Sequence, residues 1–250
     1  MPILNIYKPL GWTPLDCIKE MKATRPELEN SPITYAGRLD PMAEGVIVVL
    51  TDDDRHNKEE FQGLEKVYEA TFLFGVSSDT YDALGIITQG GTTTRIEIEE
   101  SLPNLKGDHQ LPFPPYSSYK VQGKALHWWA NEGRLDEIEI PNKLMSVVEV
   151  TGTNISEDTL ENLRSDALER IQLVSGDFRQ TNVTKSWNAL TNADTNFFTA
   201  SVTLKVTSGT YIRSLAQMMG EQLGCGAILL KLKRISVGQY NSQNSQRLLK

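Results

Sequence analysis

Two stretches of strict alternation, more than a hundred residues apart, constrain this chain most. Tyr68, Ala70, Phe72 and Phe74 share one face, with Glu69 and Thr71 on the other. Ala200, Val202, Leu204 and Val206 alternate in the same way with Ser201, Thr203, Lys205 and Thr207. A period of two makes each a half-buried strand, and strands so distant in sequence must share a sheet with other strands to bury that face. Val46–Leu50, short, β-branched and apolar, reads as a buried strand. Helices come from other signals. Thr13-Pro14-Leu15-Asp16 is a helix start, with Thr13 as cap, Pro14 in the first turn and Asp16 at the positive end; Pro26 ends the helix. Leu160, Leu163, Ala167, Ile171 and Val174 predict a second helix opening at Glu157 and Asp158. Ile212, Leu215, Ala216, Met219 and Leu223 predict a third, stopped at Gly224. Four prolines between Pro103 and Pro115 predict a stiff loop without regular structure. Strands and helices mix without a βαβ rhythm, so the fold class is α+β.

At 250 residues, with 39% hydrophobic and 23% charged residues, the chain can bury a full core and is neither low-complexity nor disordered. Two cysteines, Cys17 and Cys225, exclude a disulfide framework and read as small buried fillers. No apolar run approaches the ~20 residues of a membrane span, and the N-terminus lacks the pattern of a signal peptide. A cytoplasmic protein is expected. The net charge of -7 is unevenly spread. From Ser201 onward seven basic residues face one acid, Glu221, which leaves -13 on the first 200 residues. A basic quarter on an acidic body can present a phosphate-binding face or be a solvated surface.

The three histidines are scattered, so no metal is expected, and there is no Gly-rich phosphate loop or nucleophile motif. Asp52-Asp53-Asp54 lacks the alternating ligand positions a hard cation needs and reads as a solvated acidic loop. What remains is one carboxylate in an unusual setting, Gly37-Arg38-Leu39-Asp40-Pro41, where a turn before proline presents Asp40 outward.

The company of that carboxylate is informative. Gly37-Arg-Leu-Asp-Pro-Met-Ala-Glu-Gly45 resembles the catalytic signature of the tRNA pseudouridine synthase B (TruB) family. Tyr7-Lys8-Pro9-Leu-Gly11-Trp-Thr13 resembles its opening, and Lys66-Val-Tyr68 the start of its tyrosine-bearing strand. Gly75 with Asp79-Thr80-Tyr-Asp82, then Pro114-Pro115-Tyr-Ser117-Ser-Tyr-Lys120-Val-Gln-Gly123, resemble two further blocks. Gly209-Thr-Tyr-Ile-Arg213, Leu223-Gly-Cys-Gly-Ala227 and Leu232-Lys-Arg234 complete the set, which spans residues 7 to 238.

The resemblance implies a pseudouridine synthase fold, a mixed and largely antiparallel sheet flanked by helices. It implies a single catalytic domain over residues 1–250, with an RNA-clamping insert at about 103–145 and no C-terminal PUA domain. The implied reaction isomerises a uridine in the T-arm loop of tRNA by base flipping, with no cofactor and a monomer as the working unit. Asp40 would be the essential carboxylate, Arg213 its partner, Tyr68 the stacking ring and Leu232 part of the pocket wall. RNA contacts would come from Lys8, Tyr35, Lys66, Lys120, Lys124, Lys231, Lys233 and Arg234.

Three departures qualify that picture. Tyr35 stands where the family usually has His, the stretch after Leu50 is longer and more acidic, and no C-terminal PUA domain is expected. Two rival readings are a non-catalytic tRNA-binding or folding module and an unrelated glycosidase. Asp40, Tyr68 and Arg213 together argue against the first, since a pure binder has no use for a desolvated carboxylate. The second needs another carboxylate, for which Asp82, read as structural, is the nearest candidate.

Overall fold

The computed structural model describes residues 3–191 and 197–248; the first two residues and Lys250, part of the basic quarter, lie outside that range. β1 (Leu4–Lys8) leads to α1 (Pro14–Thr24), followed by β2 (Ile33–Ala36), β3 (Ala43–Thr51), α2 (Lys58–Gly63) and β4 (Lys66–Phe74). A ribbon of β5 (Val76–Ser78) and β6 (Ile87–Gln89) precedes α3 (Arg95–Ser101) and β7 (Gly107–Pro112). A second ribbon, β8 (Lys120–Val121) and β9 (Lys124–Ala125), carries α4 (Leu126–Asn131). The long β10 (Asn142–Asp158) is joined to β11 (Phe197–Val206) through a helical pair, α5 (Leu160–Gln172) and α6 (Gln180–Ala189). α7 (Ile212–Gln222), β12 (Ala227–Val237), β13 (Tyr240–Asn241) and β14 (Gln246–Arg247) follow.

One ten-stranded sheet organises the molecule in the order β14-β1-β3-β12-β4-β11-β10-β7, with β13 on β12 and β2 on β3. Its pairings are antiparallel except β1 with β14 and β3 with β12, the mixed, largely antiparallel sheet expected. The alternation in β4 separates two cores. Tyr68, Ala70, Phe72 and Phe74 pack in a cluster with Cys17 and Met21 of α1, Ile98 of α3, and Leu215 and Met219 of α7. Leu73, Ile228 and Leu230 face the other way, onto Leu163 and Ile171 of α5 and Val183 and Trp187 of α6. Layers of helix on both sides of a sheet satisfy each apolar face.

Several elements follow the sequence closely. Thr13 caps α1 in a reciprocal box: its hydroxyl accepts from the Asp16 N–H and the Asp16 carboxylate accepts from the Thr13 N–H. Others differ. The proline-rich stretch is not irregular throughout, because Pro103 and Pro112 fall at the ends of a free run in which β7 forms the sheet edge. The expected insert at 103–145 therefore contains one strand of the sheet, β7, and the first residues of another, β10. Glu157 and Asp158 are not helical; they pair with Phe198 and Phe197 at the end of β10, and Thr159 caps α5.

Candidate active site

Asp40 sits in the turn between β2 and β3, where the Ala43 N–H closes onto its carbonyl at 3.0 Å. The turn is held from two sides. Pro41 accepts from the Gly11 N–H at 2.9 Å. Arg234, on the neighbouring strand β12, donates to the carbonyls of Val46 at 2.6 Å, Arg38 at 2.9 Å and Gly37 at 3.4 Å. Gly37 takes a φ of 81° and Gly45 one of 114°, a left-handed region open to glycine. The signature around Asp40 is therefore a loop gripped at its backbone, leaving one carboxylate free to point outward.

Arg213, at the start of α7, meets that carboxylate. Its Nε lies 2.9 Å from Asp40 Oδ2, with the arginine side chain only 5% exposed and the aspartate 41% exposed. Nη1 donates to the Thr80 carbonyl at 3.0 Å, and Nη1 and Nη2 both donate to the Tyr116 carbonyl at 3.4 Å. Asp82 lies on the same guanidinium, 3.7 Å from Nε. Burial alone would lower the Arg213 pKa, but the two carboxylates outweigh it and raise it, so the side chain is a permanent cation. Burial pushes the Asp82 carboxyl up, against the pull of Arg213. Asp82 accepts from the Thr80 hydroxyl at 2.7 Å and the Leu84 N–H at 3.0 Å. It is enclosed, so it braces Arg213 and does not meet a substrate.

Tyr68 and Leu232 pack with Leu39 in the cluster beneath this turn. Tyr211, two residues before Arg213, was not singled out by sequence. Burial and then the nearby Asp40 charge raise its pKa, which keeps the phenol neutral beside the carboxylate. Phe113 meets Tyr211 edge-on with ring centroids 5.5 Å apart and stacks on Tyr119 at 3.9 Å, forming an aromatic wall. The spacing of Tyr211 from Arg213 was the available signal; the carbonyls of Thr80 and Tyr116 carry none.

The structure corrects three of the expected RNA contacts. Lys8, Lys66 and Arg234 are 0%, 5% and 1% exposed. The Lys8 ammonium donates to the carbonyls of Pro9 and Trp12, and the Lys66 ammonium to those of Gln62 and Leu64. Burial lowers both lysines to about 8. These three cations hold backbone and present no phosphate-binding surface. Lys231 and Lys233 flank Leu232 on β12, so they point to the opposite face of the sheet. There Lys231 pairs with Asp166 of α5 at 2.8 Å and Lys233 with Glu69 at 3.6 Å.

Lys120 and Lys124 are exposed on the second ribbon, and the Lys124 ammonium lies 3.3 Å from the centroid of the Trp128 ring. Tyr35 is half-buried, with the Lys58 ammonium 5.7 Å from its ring centroid. The longer stretch after Leu50 thus brings a cation to the tyrosine that stands in the histidine's place. Among the described residues no cluster of His, Cys, Asp and Glu could hold a metal ion, and no helix is long and apolar enough to cross a membrane.

Known proteins resemble this chain in sequence and in fold. The chain is 28% identical over 245 residues to tRNA pseudouridine synthase B of Thermotoga petrophila, covering 97% of this chain and 65% of that protein. It is 32% identical over 238 residues to tRNA pseudouridine synthase B of Nitratidesulfovibrio vulgaris, covering 93% and 62%. The chain thus spans a little under two thirds of the length of these curated relatives. A chain in the crystal structure of a Cbf5–Nop10–Gar1 complex shares the fold, with a TM-score of 0.59 and 17% identity over 98% of this chain and 52% of the other. Another, in an H/ACA RNP bound to a substrate RNA containing 2′-deoxyuridine, gives a TM-score of 0.56 and 16% identity over 98% of this chain and 50% of the other. The family described as TruB family pseudouridylate synthase (N terminal domain) matches residues 25–168. With that match over more than half of its length, the chain belongs to the TruB family of pseudouridylate synthases.

Proposed function

We propose that this protein isomerises a uridine of tRNA to pseudouridine, with Asp40 as the reacting carboxylate. One observation carries the reading: a half-exposed aspartate is held at 2.9 Å by an arginine that is itself buried and braced by a second, enclosed aspartate. That geometry sets a permanent cation against the Asp40 carboxyl group and aims it, yet leaves it open to a substrate. Asp82 cannot serve as the second carboxylate of a glycosidase, because it is buried against the arginine.

In the reaction the C1′–N1 bond breaks and a C1′–C5 bond forms. The proton leaves C5 and N1 gains one, so atoms balance without a redox partner. The uridine must leave its stack to reach Asp40. Tyr68 offers a ring for the base, Leu232 and Leu39 the apolar wall, and the Phe113–Tyr211 pair the exclusion of water. Tyr35 with Lys58, and Lys120 and Lys124 on the ribbon, grip the RNA around it; stacking on rings and contact with phosphate are the expected terms. The same reading makes residues 1–250 one catalytic domain, clamping the T-arm loop as a monomer in the cytoplasm.

The experiment is to incubate the protein with an unmodified tRNA transcript and map pseudouridine by carbodiimide-blocked primer extension. A single stop in the T-arm loop supports the reading. A stop confined to another region would overturn the T-arm assignment, and none at all would overturn the activity.

A further inference from the structure

The helical pair α5 and α6 sits between two strands that pair directly, and one of its residues reaches back to the seat of Arg213. Arg179, which precedes α6, has a left-handed φ of 61° although it is not glycine. A residue held in that region is fixed by its surroundings or relaxes out of it. Arg179 is fixed by its side chain. Its Nη1 donates to Asp79 Oδ2 at 2.7 Å and its Nη2 to Asp79 Oδ1 at 3.3 Å. The guanidinium also lies over the Tyr116 ring, 4.3 Å from the centroid.

Those contacts fall on the two segments that seat Arg213. Tyr116 supplies one carbonyl to the Arg213 guanidinium, and Thr80, next to Asp79, supplies another. One arginine therefore ties together the side chains of the segments whose backbones hold the other, and the other holds Asp40. We propose that Arg179 is a positioning residue for the reaction, acting through Asp79 and Tyr116 on Arg213 and so on the aim of Asp40. Both hydrogen-bonding ends of Arg179 are already engaged within the protein, which separates this role from a phosphate contact. Lysine cannot replace it fully, because the role needs a planar fork that bonds one carboxylate and stacks on one ring. The inference rests on Asp40 being the reacting carboxylate of the proposed isomerase.

The test compares wild type, Arg179→Ala, Arg179→Lys and Ser165→Ala. Ser165 is exposed on α5 and contacts Glu169 of its own helix, not the Arg213 seat. Single-turnover tritium release from C5-labelled tRNA gives the rate, and filter binding gives the tRNA Kd. A small misplacement of a reacting group costs up to about 100-fold, so Arg179→Ala should slow release by about 10- to 100-fold with Kd unchanged. Arg179→Lys should recover part of the rate, and Ser165→Ala should match wild type. An unchanged rate in Arg179→Ala, or a loss confined to Kd, would overturn the proposal. A second measurement is independent of turnover: solvent exchange of the Arg213 Nε–H by NMR, assigned through Arg213→Lys. Faster exchange in Arg179→Ala supports the proposal, and unchanged exchange overturns it. Wild type without release would defeat the isomerase reading alone, and the exchange result would still decide whether Arg179 orders Arg213.

Discussion

A side-chain carbon at Gly45 would lie 2.2 Å from the carbonyl oxygen of Arg234. The parallel pairing of β3 with β12 brings these two residues together, and Arg234 in turn holds the loop that carries Asp40. Gly45→Ala must both adopt a φ of 114° and push β12 aside. Its expected cost is about 3 kcal/mol of unfolding free energy in urea, together with a lower turnover. A variant as stable and as active as wild type would show that the loop does not depend on this approach.

The Arg213 seat makes a prediction about buried charge. Arg213→Met leaves the enclosed Asp82 without its cation, and such a loss costs about 3–5 kcal/mol. Adding Asp82→Asn removes the stranded charge and should return most of that stability without restoring activity. Urea denaturation of both variants checks this. A double variant no more stable than Arg213→Met contradicts the pairing.

Stability should also respond to alkaline pH. Burial holds Lys8 and Lys66 near 8 in the folded protein, against 10.5 as the ordinary value. Between those values the unfolded chain binds protons that the folded one has released, so stability rises with pH. Cys17 and Tyr7 act in the opposite sense, since burial raises them to about 12 from 9.0 and 10.0. The urea midpoint should therefore climb from about pH 8 to about pH 9 and level off or turn down above it. Cys17→Ala should delay the downturn. A midpoint that falls between about pH 8 and about pH 9 contradicts the assignment.

The placement of lysines separates two surfaces. Lys231 and Lys233 already pair with Asp166 and Glu69 on the face away from Leu232, and exposed pairs of this kind are worth about 1 kcal/mol or less. Reversing both charges should leave the salt dependence of tRNA binding unchanged. Lys120→Glu with Lys124→Glu should weaken binding and flatten the slope of log Kd against log salt. The opposite pattern would place the RNA on the α5 face.

Periodicity made β4, β11 and α7 legible, and β3, buried on both faces, was legible as a short apolar run. It did not reveal β12, where irregular register between Leu229 and Lys231 and between Arg234 and Ser236 breaks the alternation. The prolines around β7 obscured a strand they merely bound. In the site, the signature marked Asp40 and a separate block marked Arg213, but only tertiary packing shows that Asp82 braces the pair. Lys8, Lys66 and Arg234 misled for one reason: cations read as surface groups until the backbone carbonyls that receive them are brought together by the sheet.

The measurement closest to the central claim is tritium release from C5-labelled uridine in a tRNA transcript, with wild type and Asp40→Asn side by side. Asp40→Asn keeps the shape of the side chain and removes its charge, so it should bind tRNA as wild type does. Release should fall by about 10³-fold or more, within the range expected when an acid–base group is lost. Equal release by the two proteins would contradict the account and place the chemistry on another residue.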